Sequence, residues 1–369
     1  MIRRLSYLNG IAVLWVILNH ASGWGFTALF WWTDRYLPVS VPNFDQWGSP
    51  TYYSLRVIEQ LIIFAIASFL FVSGFFIAFA TQRTQPTIGW NIVGVRIKNL
   101  IIPYLIWSIL IILGEQVQGA GYSFLQISRK LIFGGVAPPY YYVPLLCQLY
   151  LFSPFLVPLA RNRWKLLLLV TALIQLFAVS LRYEEILGLE LPGLAQLTWI
   201  SQSWFFPSNI FWFSFGIVTG FHLKQLKPWL DRVKWALLIL LFSTFLLGIF
   251  EWETLLQWSG QEWIATRETV VDHLYALTVL LSFLAFDKVA LPFFKVIENI
   301  GMKSFGVYLT HSPVMEYLAR ATYHLAPQML AYQILFQPML ISLGLAIPLL
   351  LMAMVKRSPV RGLYVYLFG

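Results

Sequence analysis

LIIFAIASFLFVSGFFIAFA, residues 61 to 80, contains no charged side chain and only two serines among its aliphatic, aromatic and small residues. About 20 such residues in a helix span the roughly 30 Å hydrocarbon core of a bilayer. A soluble helix of that length keeps a polar stripe toward water, and this stretch has none. It reads as a membrane-crossing helix, and LLLLVTALIQLFAVSL, residues 166 to 181, reads the same way.

The rest of the chain extends that reading. Of its 369 residues, 59% are hydrophobic and 11% charged, with a mean hydropathy of +0.71, whereas soluble domains run near half apolar and a quarter charged. A soluble fold cannot hide so much apolar surface. Apolar windows of about 19 residues fall near 5 to 26, 56 to 80, 97 to 117, 141 to 160, 164 to 183, 203 to 223, 234 to 252, 270 to 286, 304 to 323 and 330 to 354. The expected fold is all-α: a polytopic transmembrane helical bundle of about ten spans, with 1–369 forming one transmembrane domain and no soluble domain. Residues 119 to 139, GAGYSFLQISRKLIFGGVAPP, are punctuated by glycine and proline and are expected as an interfacial or re-entrant segment. Arg3 and Arg4 before an apolar run also begin secretory signals, but this run is long and is read as a retained first span.

Loop charge gives the orientation, because lysine and arginine near span ends stay cytoplasmic. With the N-terminus inside, 18 of the 25 basic residues fall on that side, among them Arg3, Arg4, Arg83, Arg96, Lys98, Arg161, Lys227 and Arg357. Glu184, Glu190, Glu251, Glu253, Glu262, Glu268 and Asp272 fall on the other side, with Arg267. Both termini are therefore expected in the cytoplasm. The net charge of +9 sits in short clusters between apolar runs, which argues against nucleic acid as a partner. The single cysteine, Cys147, excludes an intrachain disulfide and a cysteine metal cluster. No histidine has convincing ligand spacing, so no metal is expected.

A polar side chain inside a span costs a few kcal/mol on insertion scales, so each asks for a partner or a purpose. His20 leads the list, because imidazole takes and returns a proton near neutral pH. Counted from Leu5 at 1.5 Å per residue, it lies ~22 Å from the cytoplasmic boundary. The plainer alternative is an interfacial histidine bonded to a backbone carbonyl. Glu59 and Glu115 sit at a similar depth, and either would orient the ring and stabilise its charged form. Tyr308 and His311 share one helix face. The same count puts His311 only ~10 Å deep, so a direct pair with His20 is not expected, and a structural role for it stays equally open. Asn19 and Gln148 complete the polar set as substrate-facing or structural groups. Arg96 and Lys98, ahead of Pro103, are either inside-positive anchors or a phosphate-binding rim. Ser73 and Gly74 either allow close helix packing or let a ligand chain pass the backbone. Trp24, Trp31, Trp32, Trp199 and Trp204 read as an interfacial belt, with sugar stacking as the alternative.

Taken in order, several segments resemble the acyltransferase-3 family of multi-pass bacterial membrane O-acyltransferases. They are RLSYLNGIAVLWVILNH (4 to 20), LFVSGFFIA (70 to 78), RIKNLIIPYLIWS (96 to 108), YYYVPLLCQLYLFSP (140 to 154) and KSFGVYLTHSPV (303 to 314). The resemblance implies acyl-CoA, usually acetyl-CoA, as co-substrate. It also implies a hydroxyl of an envelope or exported carbohydrate or glycolipid as acceptor, and a bacterial inner membrane as location. His20 then corresponds to the family's essential histidine, acting as general base or as an acylated relay. Arg96 and Lys98 match basic positions near the cofactor phosphates, with Ser73 and Arg4 completing that side. Many members have an acidic residue where Ser6 stands and an arginine where Asn9 stands, and Arg3 or Arg4 is the nearest replacement. The pantetheine arm must then thread a channel to His20, with Gly10, Ala67 and Gly74 as its small lining residues. The alternative without covalent chemistry is a transporter or flippase that uses His20, Glu59 and Glu115 as a proton relay or substrate site. The bilayer is a partner under either reading, and a homo-oligomer is compatible with both.

Overall fold

The computed structural model describes residues 1–81, 85–189, 195–264 and 268–369; Arg83, Glu190 and Arg267 of the charge pattern lie outside them. The described residues form helices and no strand. Helix α1 covers Ile2–Phe26 and runs on as a π-helical turn, Thr27–Trp31. Pro50, behind the N-cap Ser49, opens α2, Pro50–Ile62, and Ile63 joins it to α3, Phe64–Ala80. Then come α4, Trp90–Val117, and α5, Phe124–Phe133. The latter is a separate ten-residue helix between a Ser123/Gln126 capping box and a left-handed Gly134. It occupies the segment expected to be interfacial, and Phe124, Leu125 and Ile132 on it are exposed. A 3-10 turn, Pro138–Tyr141, leads into α6, Tyr142–Asn162, followed by α7, Trp164–Leu187.

Helix α8, Ile210–Ser259, is helical over 50 residues, where two spans separated by a basic loop at 224 to 233 were expected. Drawn straight it would measure ~75 Å, yet its two arms meet the same place. Trp212 stacks on His273, 5.8 Å between rings, and Gly248 packs on the Gln60 amide that bonds Asp272. Between the arms, Lys227 reaches the Ala285 carbonyl and Trp235 meets Phe286. The helix therefore doubles back near Pro228. Proline removes one N–H and crowds the preceding turn, which breaks the helix axis where the two arms meet.

The C-terminal third holds α9, Val270–Ala285, α10, Phe294–Gly301, α11, Ser304–Leu325, α12, Gln333–Arg357, and α13, Tyr364–Phe368. Seven helical segments are long and apolar enough to cross a bilayer. The remaining expected crossings correspond to the second arm of α8, the 16-residue α9 and the more polar α11. Charge separates the two ends of the bundle. Arg3–Glu298 and Lys227–Asp287 lie at the end that carries Arg4, Arg96, Lys98 and Arg161, and Arg182–Glu268 and Arg56–Glu59 at the end that carries Glu251, Glu253 and Asp272.

The contact between α1 and α10 sets the height of everything after it. A side chain on Gly301 would collide with the Ser6 carbonyl, and one on Gly10 with the Ile297 carbonyl. The two backbones touch because both positions are glycine. Gly74 and Gly216 make the same kind of backbone contact between α3 and α8. Gly10 and Gly74 thus serve helix packing, not a ligand channel, and Ala67 lines a separate small void beside Trp212 and His273.

Candidate active site

His20 sits five turns along α1, and its ring lies 5.2 Å from that of His311 on α11, tilted by 44°. This corrects the expectation that His311 is too shallow to pair with it. The depth count began at the membrane boundary, but α10 is tucked beside residues 6 to 10 of α1. Gly301 therefore starts one to two turns deep, and ten residues of helical rise, ~15 Å, bring His311 level with His20.

His311 is fully buried. Its Nδ1 pairs with the Val307 carbonyl at 3.1 Å, so the neutral ring carries its proton there and leaves Nε2 as an acceptor. That nitrogen is buried and has no hydrogen-bond partner among the described residues. Tyr308, three residues earlier on the same face, has its ring 6.0 Å from His311 and 5.5 Å from Tyr142. Its hydroxyl is likewise buried and unpartnered among the described residues. Two adjacent unsatisfied polar groups in a membrane interior cost stability that nothing in the packing returns.

A cavity of about 380 Å³ lies over these rings on the acidic side. His20, Asn19, Glu59, Tyr141, Ser203, Glu268 and Tyr308 line it, with Ile62, Ile63 and Ile66 as apolar wall. A second cavity of about 150 Å³ approaches from the basic side, lined by Asn9, Ser73, Tyr142, Tyr150, Ser304 and Tyr308. Tyr308 is the one lining residue common to both among the described residues. The basic-side space reaches Tyr308 rather than His20 itself. Asn9 lines that space, and Asn9 Oδ1 is buried without a partner among the described residues.

The other expected site residues are distributed unevenly around this centre. Glu59 joins the His20 cavity with its carboxylate paired to Arg56; Arg56 also reaches Glu253 at 3.9 Å and lies over Trp252 at 4.5 Å. Glu115 does not come to His20: it pairs with Lys130 at 3.5 Å and lines neither cavity. Arg4 is also drawn elsewhere, donating to the Phe286 and Val289 carbonyls at 2.9 Å. Those carbonyls follow the C-terminus of α9, where a helix end attracts positive charge. Arg96 stands beside the basic-side cavity, 5.7 Å over the ring of Tyr150 and 3.3 Å from the Phe76 carbonyl, while Lys98 is exposed. Gln148 lines neither cavity. It ties the Trp204 carbonyl and the Phe206 N–H at 2.8 and 3.3 Å, a structural use.

Glu268, Tyr141 and Ser203 line the cavity without having been singled out from sequence. Glu268 arrives through Arg182, which bonds both its backbone carbonyl at 2.7 Å and its carboxylate at 3.3 Å. Arg182 is buried in α7, and a lone arginine at the outer end of an apolar run is the one sequence signal that an acid would come to meet it. Among the described residues no group of three or more His, Cys, Asp or Glu has metal-binding geometry.

The chemistry available is acid–base work by paired imidazoles beside a hydroxyl, reached by two spaces from opposite ends. A family model described as an acyltransferase domain matches residues 2–355. No curated protein and no solved structure matches the chain. The matched stretch includes every helix that builds the site, and on that coverage this integral membrane protein belongs to the acyltransferase-3 family and is an acyltransferase.

Proposed function

We propose that the chain transfers an acyl group, acetyl by family resemblance, from acyl-CoA entering at the basic, cytoplasmic end to a saccharide hydroxyl entering at the acidic end. The supporting observation is the pair of cavities that share Tyr308, with His20 lining the acceptor side. Arg96 and Lys98 would draw the nucleotide phosphates to the basic rim. The 150 Å³ space holds the thioester tip of the pantetheine arm and not its whole length, so the rest of the arm runs toward that rim. Asn9, with its free Oδ1, would receive an amide N–H of the arm in place of the charged contact that other members make with arginine.

In the transfer itself, His20 takes the acceptor's O–H proton as the oxygen attacks the thioester carbonyl. The C–S bond breaks as the ester C–O bond forms, and the imidazolium returns the proton to the departing thiolate of CoA. Tyr308 supplies a hydroxyl donor toward the carbonyl oxygen while negative charge develops on it. Family membership favours this reading over a transporter without covalent chemistry. Resemblance to the family also supports a bacterial inner membrane as its location.

The test uses the purified full-length protein with labelled acetyl-CoA and a set of saccharides. Acceptor-dependent release of CoA with label on the sugar is expected, and His20→Ala is expected to lower it by about 10²- to 10⁴-fold, the usual loss of a general base. Saccharide binding or flux with the thioester intact would sink the proposal.

A further inference from the structure

The acceptor cavity does not end at Ser203. It continues into a second space of about 410 Å³ that shares Pro138, Tyr141 and Ser203 with it. The far wall is built by Phe133, Gly135, Gln202 and Trp204. The first lobe has the volume of a small-molecule site, about 300 Å³ or more, and the second is a wider and more open groove beside it. One acceptor unit at His20 leaves the second lobe empty.

Resting on the acyl-transfer reading above, we propose that this second lobe is a binding subsite for a further uncharged sugar ring, so that the acceptor is a neutral oligosaccharide held across both lobes.

Trp204 is held as a fixed wall. Its ring packs against Phe133 at 4.6 Å and Phe205 at 5.4 Å, and Gln148 pins its backbone carbonyl and the Phe206 N–H. A tryptophan that merely anchors a protein at the lipid surface needs no such buckle. A rigid aromatic side chain at one end of a mostly apolar cleft offers the flat contact that the C–H face of a pyranose takes, at little entropic cost.

The glycines point the same way. Gly134 has φ 73 and no room for a side chain against Tyr141, so it is required by the turn. Gly135 is not. Its φ is ordinary, and a Cβ there would meet nothing closer than Lys130 at 3.7 Å. The missing side chain serves neither packing nor backbone geometry, and it keeps the lobe open.

Charge selects the class of sugar. The lining of the two lobes contains two carboxylates, Glu59 and Glu268, and no lysine or arginine among the described residues. Each is engaged by an arginine behind the wall, Arg56 and Arg182, so the lobes offer carboxylate oxygens to sugar hydroxyls and no cation in the lining to hold a uronate or phosphate. Gln202 and Ser203 add uncharged hydrogen-bonding groups.

The experiment measures kcat/KM on full-length protein with acetyl-CoA and a panel of neutral monosaccharide glycosides, the matching neutral trisaccharides and their uronic-acid counterparts. A trisaccharide preference of about tenfold or more is expected, with uronates poorer than both neutral sets. Gly135→Phe and Trp204→Ala should each bring the trisaccharide-to-monosaccharide ratio toward one through the trisaccharide KM, with thermal melting in detergent showing that both variants fold. A wild-type ratio near one, or variants that lower both acceptors in equal proportion, overturns the subsite. Uronates used as well as neutral sugars overturn the charge selection. Absence of thioester cleavage with every sugar overturns acyl transfer itself. In that case equilibrium dialysis of labelled trisaccharide without donor still decides the lobe, because binding must be present in wild type and lost in Gly135→Phe.

Discussion

His20 and His311 face each other at 5.2 Å although they come from opposite ends of the chain. Of the two, among the described residues, only His311 is bonded to the backbone, through Nδ1 and Val307. Its free Nε2 can accept a hydrogen bond from its neighbour's ring and so fix which nitrogen of His20 faces the acceptor.

His311→Phe keeps the bulk and removes that acceptor. A hydrogen bond to a group that becomes charged contributes about 1.5–3 kcal/mol, so kcat should fall by about 10- to 150-fold while the protein remains folded. Steady-state kinetics with acetyl-CoA measure this directly. Unchanged turnover would reduce His311 to a filler of space.

Tyr308→Phe should move activity and stability in opposite directions. The hydroxyl is buried without a partner among the described residues, and deleting such a group relieves about 1–3 kcal/mol of desolvation. Removing a donor aimed at developing negative charge lowers kcat by up to about 10²- to 10³-fold. A higher melting temperature with slower turnover is the expected pair, read by thermal unfolding in detergent and by initial rates. A melting temperature that falls would show the hydroxyl to be structural.

The two candidate glutamates should behave unlike each other. Glu59→Gln strands the buried Arg56 next to a weaker, 3.9 Å contact with Glu253, and breaking a buried pair costs about 3–5 kcal/mol. Arg56→Met added to it should recover part of the loss. Glu115→Gln removes only a half-exposed partner of Lys130, a change of about 0–1 kcal/mol, and acyl transfer should stay within about twofold of wild type. Expression level and melting temperature across the four proteins separate the cases.

Gly301→Ala pushes a methyl into the Ser6 carbonyl. Overpacking at a fixed backbone costs about 1–3 kcal/mol, and here it also shifts α10 and thus the height of α11. Loss of melting temperature accompanied by a fall in kcat is expected. An equal cost in stability with full turnover would mean that His311 does not depend on this contact.

At the basic end, the Arg3 guanidinium bonds both oxygens of Glu298 at 2.7 Å and holds its carboxyl below the usual glutamate range. A depressed acid stabilises the fold above its unfolded pKa, and that contribution is lost as pH falls through the lower, folded value. Arg3→Ala should therefore be the less stable protein at neutral pH, by a small and salt-sensitive margin. The margin should close in acid below the normal carboxylate range. A pH series of melting curves for wild type and Arg3→Ala tests the sign.

What could be read from the sequence followed from local rules. Hydropathy located the long helices, the restricted pKa of imidazole singled out His20, and ordered motifs pointed to the family that the match over residues 2–355 bears out. Depth was misjudged for His311 because linear counting assumes that each helix starts at the membrane surface, and α10 does not. Arg4 looked like a replacement for a missing charge at Asn9, but the carbonyls beyond α9 claim its side chain. Glu115 matched His20 in height and not in azimuth. The reversal inside α8 was legible as the basic stretch at 224 to 233, and what the sequence hid is that this stretch is itself helical. Glu268 and Ser203 sit in irregular segments, whose placement depends on Arg182 and Gln148 from distant helices.

The phenol that lines both cavities has an electrical consequence under the proposed transfer. An energised bilayer tolerates no continuous water column, since each elementary charge crossing it releases about 2.3 kcal/mol per 100 mV. Under the proposed transfer, spaces that meet at Tyr308 would let a bond be exchanged across the barrier while ions find no wire to follow. Chemistry conducted through a plug in this way leaves the cell's ion gradients intact.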